Sequence, residues 1–243
     1  MHVDKHQHLV LLSLCLLWLA CSTIACAPFA DRQIAGSASV QRSAQARFTY
    51  VALGASDAFG VGTGNPALES WPSVLADRLK AKQPTLHLVN LGIPSITLHE
   101  ALTRELPVAI DSHPNLVTIW LAVNDIIDDV SASSYQQDLE TLVSRLQTAL
   151  PHARIAIGNV LDLTLLPHFQ GDDTQLLQQQ TAAYNSAIAA IVERHHVLLV
   201  DLYQQWRQLA ANPEYISGDG LHPNTEGSRA LAEIFYQVLQ RSV

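Results

Sequence analysis

Three features of the sequence predict an α/β domain built on a parallel sheet. Short apolar runs of strand length alternate with longer helical patterns along most of the chain. The runs are apolar throughout instead of alternating, as strands buried on both faces require. The 243 residues are 48% hydrophobic, enough for one full core. Together these predict a three-layer α/β/α sandwich with about five parallel strands.

The N-terminus stands apart from this pattern. Lys5 and several histidines precede LVLLSLCLLWLACSTIACA, an apolar stretch from Leu9 to Ala27 broken only by small polar residues. A basic start, an apolar stretch and then small residues describe an export signal over residues 1–26. The same run is almost long enough to cross a bilayer, so an uncleaved membrane tether is an alternative. All three cysteines, Cys15, Cys21 and Cys26, fall inside it. Leu19-Ala20-Cys21 and Ile24-Ala25-Cys26 each resemble a lipoprotein signal imperfectly. A chain cleaved there retains one thiol at most, which excludes a disulfide framework and a cysteine-ligated metal. Residues 27–47 turn to Ala, Ser, Gln and Arg without apolar periodicity and read as a linker.

The domain follows, over residues 48–243. Its strands are predicted at Phe48–Leu53, Leu86–Leu91, Leu116–Val123, Arg154–Val160 and Val197–Leu202. The helical patterns between them are WPSVLADRLKAK, SITLHEALTREL, SYQQDLETLVSRLQTAL, DTQLLQQQTAAYNSAIAAIVERHH and QQWRQLAANPE, and NTEGSRALAEIFYQVLQ closes the chain. Trp71 and Trp120 are expected in the core. His195-His196 sits at a helix C-terminus, where the dipole favours it, and lacks spaced metal-ligand partners. Asp128-Asp129 is expected to open a helix, not to bind calcium. The loop GNVLDLTLLPHF, from Gly158 to Phe169, either lines a pocket or packs on the sheet rim. Net charge is −8 without a Lys/Arg cluster, so nucleic acid is excluded as a partner.

In parallel α/β sheets ligands sit beyond the carboxyl ends of the strands. Ser56 lies just past the first strand, Gly92 follows the second, and Asn124-Asp125 closes the third. Near the C-terminus, SGDGLHPNTEG places Asp219 three residues before His222, just ahead of the last helix. Taken singly, Ser56 reads as a turn residue, Asp219-Gly220 as a turn and Asn224-Thr225 as a helix cap. Jointly they supply a nucleophile, a base and an orienting carboxylate.

In these residues the chain resembles the GDSL-type, or SGNH, serine hydrolases. The first block is Gly54-Ala55-Ser56, the second contains Gly92, the third is Ala122-Val123-Asn124-Asp125 and the last is Asp219-Gly220-Leu221-His222. Two positions depart from the family pattern: Ala55 replaces an aspartate and Ala122 a glycine. The resemblance implies a flavodoxin-like SGNH hydrolase fold and an esterase without cofactor or metal. It makes Ser56, His222 and Asp219 the catalytic triad, with Ser56 N–H, Gly92 N–H and the Asn124 amide as the oxyanion hole. The implied partner is a small ester: a short-chain ester, an acetylated carbohydrate or a lysophospholipid. Transfer of the acyl group to another alcohol needs the same residues, and a catalytically silent, surface-tethered binding module would keep the same fold. The absence of Gly-x-Ser-x-Gly around Ser56, where position 58 is Ala58, argues against an α/β-hydrolase. Phe59 to Pro66, after Ser56, are expected to form a loop or short turn and not an immediate helix. The exported chain is expected either secreted or anchored at the cell surface.

Overall fold

The computed structural model describes residues 47–209 and 213–241. The predicted signal, and the linker up to residue 46, lie outside the described residues. Five strands form one sheet: β1 (Thr49–Gly54), β2 (His87–Asn90), β3 (Leu116–Trp120), β4 (Arg154–Gly158) and β5 (Leu198–Val200). All neighbours are parallel and the order is β2-β1-β3-β4-β5. Strands β1 and β3 are buried at every position, as continuous apolar runs in the middle of a covered sheet must be.

Helices cover both faces. Helix α3 (Trp71–Lys80) packs on α10 (Thr225–Arg241), while α7 (Ala132–Ala149) packs on α4 (Leu98–Arg104) and on α8 (Thr174–His195). In the core between sheet and helices, Trp71 stacks on Phe235 at 4.4 Å and meets the edge of Trp120 at 6.2 Å. Both tryptophans are buried, as expected from their place in the sequence.

The strand order matters more than the strand count. After β1 the chain moves outward to β2, then returns past β1 to lay down β3. The connections leaving β1 and β3 therefore diverge, and the gap between their carboxyl ends is the switch point where α/β sheets bind ligands. Register places Gly54 opposite Trp120, so Ser56 and Asn124 emerge on the two lips of that gap.

Three local expectations are corrected. The third strand ends at Trp120, because the chain turns at once into α6 (Val123–Ile127). The pattern SITLHEALTREL is broken into α4 and α5 (Leu106–Asp111), with Pro107 in the first turn of α5. Proline has no N–H to continue the preceding helix and is tolerated only at a new start. Asp128-Asp129 does not open α7: Ser131 caps that helix through Ser134 N–H, while Asp128 closes α6 and Asp129 takes a left-handed φ of 55°.

Candidate active site

Strand β1 delivers Ser56 through a tight turn. A side chain on Gly54 would place its Cβ 2.4 Å from the Cβ of Ala58, so the strand and the next turn can approach only there. Ser56 then opens a one-turn helix, α1 (Ser56–Phe59), closed by Gly60 at a left-handed φ of 102°. A single helical turn thus comes before the expected loop, which runs over residues 60–65.

His222 arrives from the other end of the chain. An isolated antiparallel bridge between Ile216 and Pro223 holds the base of its loop, and Ser217 N–H donates to His222 O at 2.8 Å. Gly220 supplies the left-handed φ of 76° that the turn needs. Asn224 then accepts the N–H groups of Glu226 and Gly227, both at 3.0 Å, and so caps α10.

These two loops bring the three predicted residues into one chain of hydrogen bonds. His222 Nε2 lies 2.8 Å from Ser56 Oγ, and His222 Nδ1 lies 2.7 Å from Asp219 Oδ2. The other carboxylate oxygen, Asp219 Oδ1, accepts from Ser217 Oγ, Leu221 N–H and His222 N–H at 2.7, 2.9 and 3.0 Å. Desolvation acts to raise the Asp219 pKa, but these hydrogen bonds outweigh it and hold the carboxyl well below the ordinary range. Asp219 is therefore a fixed negative charge beside the ring.

Ser56, His222 and Asn124 share the wall of one cavity of about 50 Å³. Its apolar side comes from Trp120, Leu161, Leu166, Trp206 and Leu231. Leu161 and Leu166 belong to the 158–169 loop, so of its two expected roles the pocket wall is the one found. Asn124 donates one amide hydrogen to Ile96 O at 2.9 Å, which fixes its side chain and leaves the second hydrogen for the cavity. Ala122 has φ 177°, an extended value that any residue adopts, so its methyl is accommodated and forms part of the cavity wall.

Gly92 sits differently. It lies outside that cavity, beside Phe59 and Asn90, and its N–H donates to Asn90 Oδ1 at 3.1 Å. A Cβ at this position would meet Phe59 N at 2.4 Å. The glycine is thus required for close packing against α1. Asn90 also donates to Ala58 O at 2.6 Å, and so ties β2 to the serine turn. Sequence reasoning passed over Asn90. Its one signal there is an amide at the end of a strand adjoining the nucleophile.

His195 is engaged structurally: Nε2 meets Glu140 Oε1 and Nδ1 meets Gln147 Oε1, both at 2.8 Å, joining α8 to α7. Two carboxyls near Ser56 are new. Asp57 lines the cavity, and Glu105, fully buried, accepts Gly54 N–H at 3.4 Å.

Comparison with known proteins finds esterases among the relatives of this chain. An arylesterase of Vibrio mimicus is 25% identical over 198 residues, covering 81% of this chain and 90% of that protein. The thioesterase 1/protease 1/lysophospholipase L1 of Escherichia coli strain K12 is 23% identical, covering 81% of this chain and 86% of that protein. The crystal structure of the psychrotrophic esterase EstA from Pseudoalteromonas sp. superposes with a TM-score of 0.64 at 23% identity, covering 80% of this chain and 97% of the other. The sequence profile of the GDSL-like Lipase/Acylhydrolase family matches residues 52–230, from within β1 to within α10. The chain belongs to that family, and with it to the carboxylic ester hydrolases.

Proposed function

We propose that this protein is an exported serine esterase that cleaves small acyl esters through Ser56, His222 and Asp219. The observation that carries the reading is the unbroken bonding from Ser56 Oγ through the His222 ring to Asp219, at 2.8 and 2.7 Å, on the wall of a cavity. In this mechanism Ser56 Oγ attacks the acyl carbon while His222 Nε2 takes the hydroxyl proton. Asp219 keeps the proton on Nδ1 and stabilises the imidazolium. The imidazolium returns its proton to the departing alcohol, leaving an acyl-serine. Water, deprotonated by the same nitrogen, then releases the acid. The negative oxygen of each tetrahedral intermediate needs donors. Asn124 is placed to give one, and Ser56 N–H, in the first turn of α1, has no partner within that helix. Gly92 N–H joins them once substrate draws it from Asn90 Oδ1.

The cavity size favours a short acyl group. About 10–15 Å³ of such space holds one water, so about 50 Å³ takes only a few non-hydrogen atoms. An acetyl group, on a carbohydrate or another small alcohol, is the substrate class it suits best. An intact, hydrogen-bonded triad also favours an enzyme over a silent binding module. Export rests on the basic and apolar pattern of residues 1–26, and fractionation of producing cells tests it. Chain retained in the cytoplasm would end that part of the proposal.

Hydrolysis of p-nitrophenyl esters from acetate to long acyl chains, with Ser56→Ala in parallel, tests the catalytic reading. Activity greatest on acetate and lost in the variant is the expected result. Equal background rates in both proteins, with no fluorophosphonate labelling of folded wild type, would favour the binding module instead.

A further inference from the structure

The turn that carries Ser56 is held at two points, each two residues from the serine, and both holders are carboxyls. On the core side, Glu105 Oε1 accepts Gly54 N–H at 3.4 Å. On the cavity side, Asp57 Oδ1 accepts Ala58 N–H at 2.8 Å. Position 55, before the serine, is Ala55, and the carboxylate after it, Asp57, lines the same cavity as Ser56 and His222.

We propose, resting on the esterase reading above, that Asp57 is a positioning residue: ionised, it fixes the serine turn through Ala58 N–H and stabilises the imidazolium of His222 across the cavity wall they share. The groups facing it support this. His222, from the loop before α10, is the charged partner that favours the ionised form of Asp57. Glu105, at the junction of α4 and α5, is the acidic neighbour, and Arg104 lies beside it. Desolvation pushes the Asp57 carboxyl up to about 6, against the opposing pull of Ala58 N–H and His222. Glu105 is pushed higher, to about 8, mainly by burial and in part by Asp57. At neutral pH Glu105 is therefore the neutral holder and Asp57 the charged one. An acidic solution would neutralise Asp57 and remove its support of the imidazolium, while the turn itself persists.

Phosphonylation by a fluorophosphonate tests this without knowledge of the natural substrate. Ser56 Oγ forms a bond to phosphorus, fluoride leaves, and the hydroxyl proton passes to His222. Labelling rates of the full chain would be followed from pH 4.5 to 9 for wild type, Asp57→Asn, Asp57→Ala and Ser56→Ala. Protonation of Asp57 as pH falls through about 6 should slow wild-type labelling toward the Asp57→Asn rate. Asp57→Asn keeps an acceptor for Ala58 N–H but not the charge. It should label about tenfold more slowly at pH 8, the scale of one charge acting across a partly solvated site, and the gap to wild type should close as Asp57 is protonated. Asp57→Ala, lacking both acceptor and charge, should be slower still. An Asp57→Asn profile that superimposes on wild type would overturn the proposal, leaving Asp57 a turn residue. So would a ratio of wild-type to Asp57→Asn rates, or of wild-type to Asp57→Ala rates should Asp57→Asn not fold, that stays constant from pH 4.5 to 9. Labelling that persists in Ser56→Ala, or is absent from folded wild type, would instead remove the esterase reading beneath it.

Discussion

In the proposed mechanism Asn124 is a residue prepared for one task. Its bond to Ile96 O occupies one amide hydrogen and fixes the plane of the group, so the other hydrogen needs no reorganisation when negative charge develops. Asn124→Ala should therefore lower kcat by about 10²–10³, the usual loss for one oxyanion donor, with KM little changed. Near-wild-type turnover would remove Asn124 from that role. At this scale the sequence was most legible where function is local. Asp219 and His222 are three residues apart and settle their own geometry, and Ser56 is marked by the end of a strand. Asp57, Asn90 and Glu105 were not legible, because what defines them is a partner on another segment. Glu105 bonds Gly54 across 51 positions, and Asn90 bonds Ala58 across 32. The Gly92 residue itself was legible and its reason was not: the obstruction is Phe59 N of α1, which only the folded chain brings near.

Among the elements, β1 with α1 and the loop before α10 must meet within tenths of an ångström, and Gly62 is where they touch. It has a left-handed φ of 92°, and a Cβ there would lie 2.6 Å from Pro223 O and 3.1 Å from His222 Cβ. Gly62→Ala is strained in its backbone and pushes the histidine loop away from Ser56. A misplacement of about 1 Å costs about 10²-fold in rate, and that is the expected fall in kcat. The melting temperature should fall only a few degrees, since the strained site is one exposed loop residue. A large loss of stability with unchanged kcat in the folded fraction would show that the contact serves packing instead. Strands and long helices were legible because burial on two faces and on one face leave different periods. The breaks were less so. Pro107 splits α4 from α5, and Ser131, not Asp128, caps α7, because caps are fixed by hydrogen bonds that composition alone does not rank.

For the molecule as a whole, the core holds buried acidic groups, and stability becomes pH-dependent as a result. Glu105 is the clearest case: it is fully buried, its Oε2 has no partner among the described residues, and its pKa is raised from 4.5 to about 8, chiefly by desolvation. An acid whose pKa is higher folded than unfolded binds more protons in the folded state. Its contribution is thus intact below about pH 4.5 and is lost as pH rises toward about 8. Asp125, raised to about 6 by burial while holding Leu98 N–H, acts in the same direction over a lower window. Glu105→Gln keeps an acceptor for Gly54 N–H and removes the ionisation. It should therefore melt near wild type at pH 5 and several degrees higher at pH 8.5, at about 2–4 °C per kcal/mol for a domain of this size. Calorimetric melts at the two pH values measure this directly. A difference that is the same at both would mean that Glu105 stays neutral throughout and that its buried carboxyl does not set the alkaline limit of the fold.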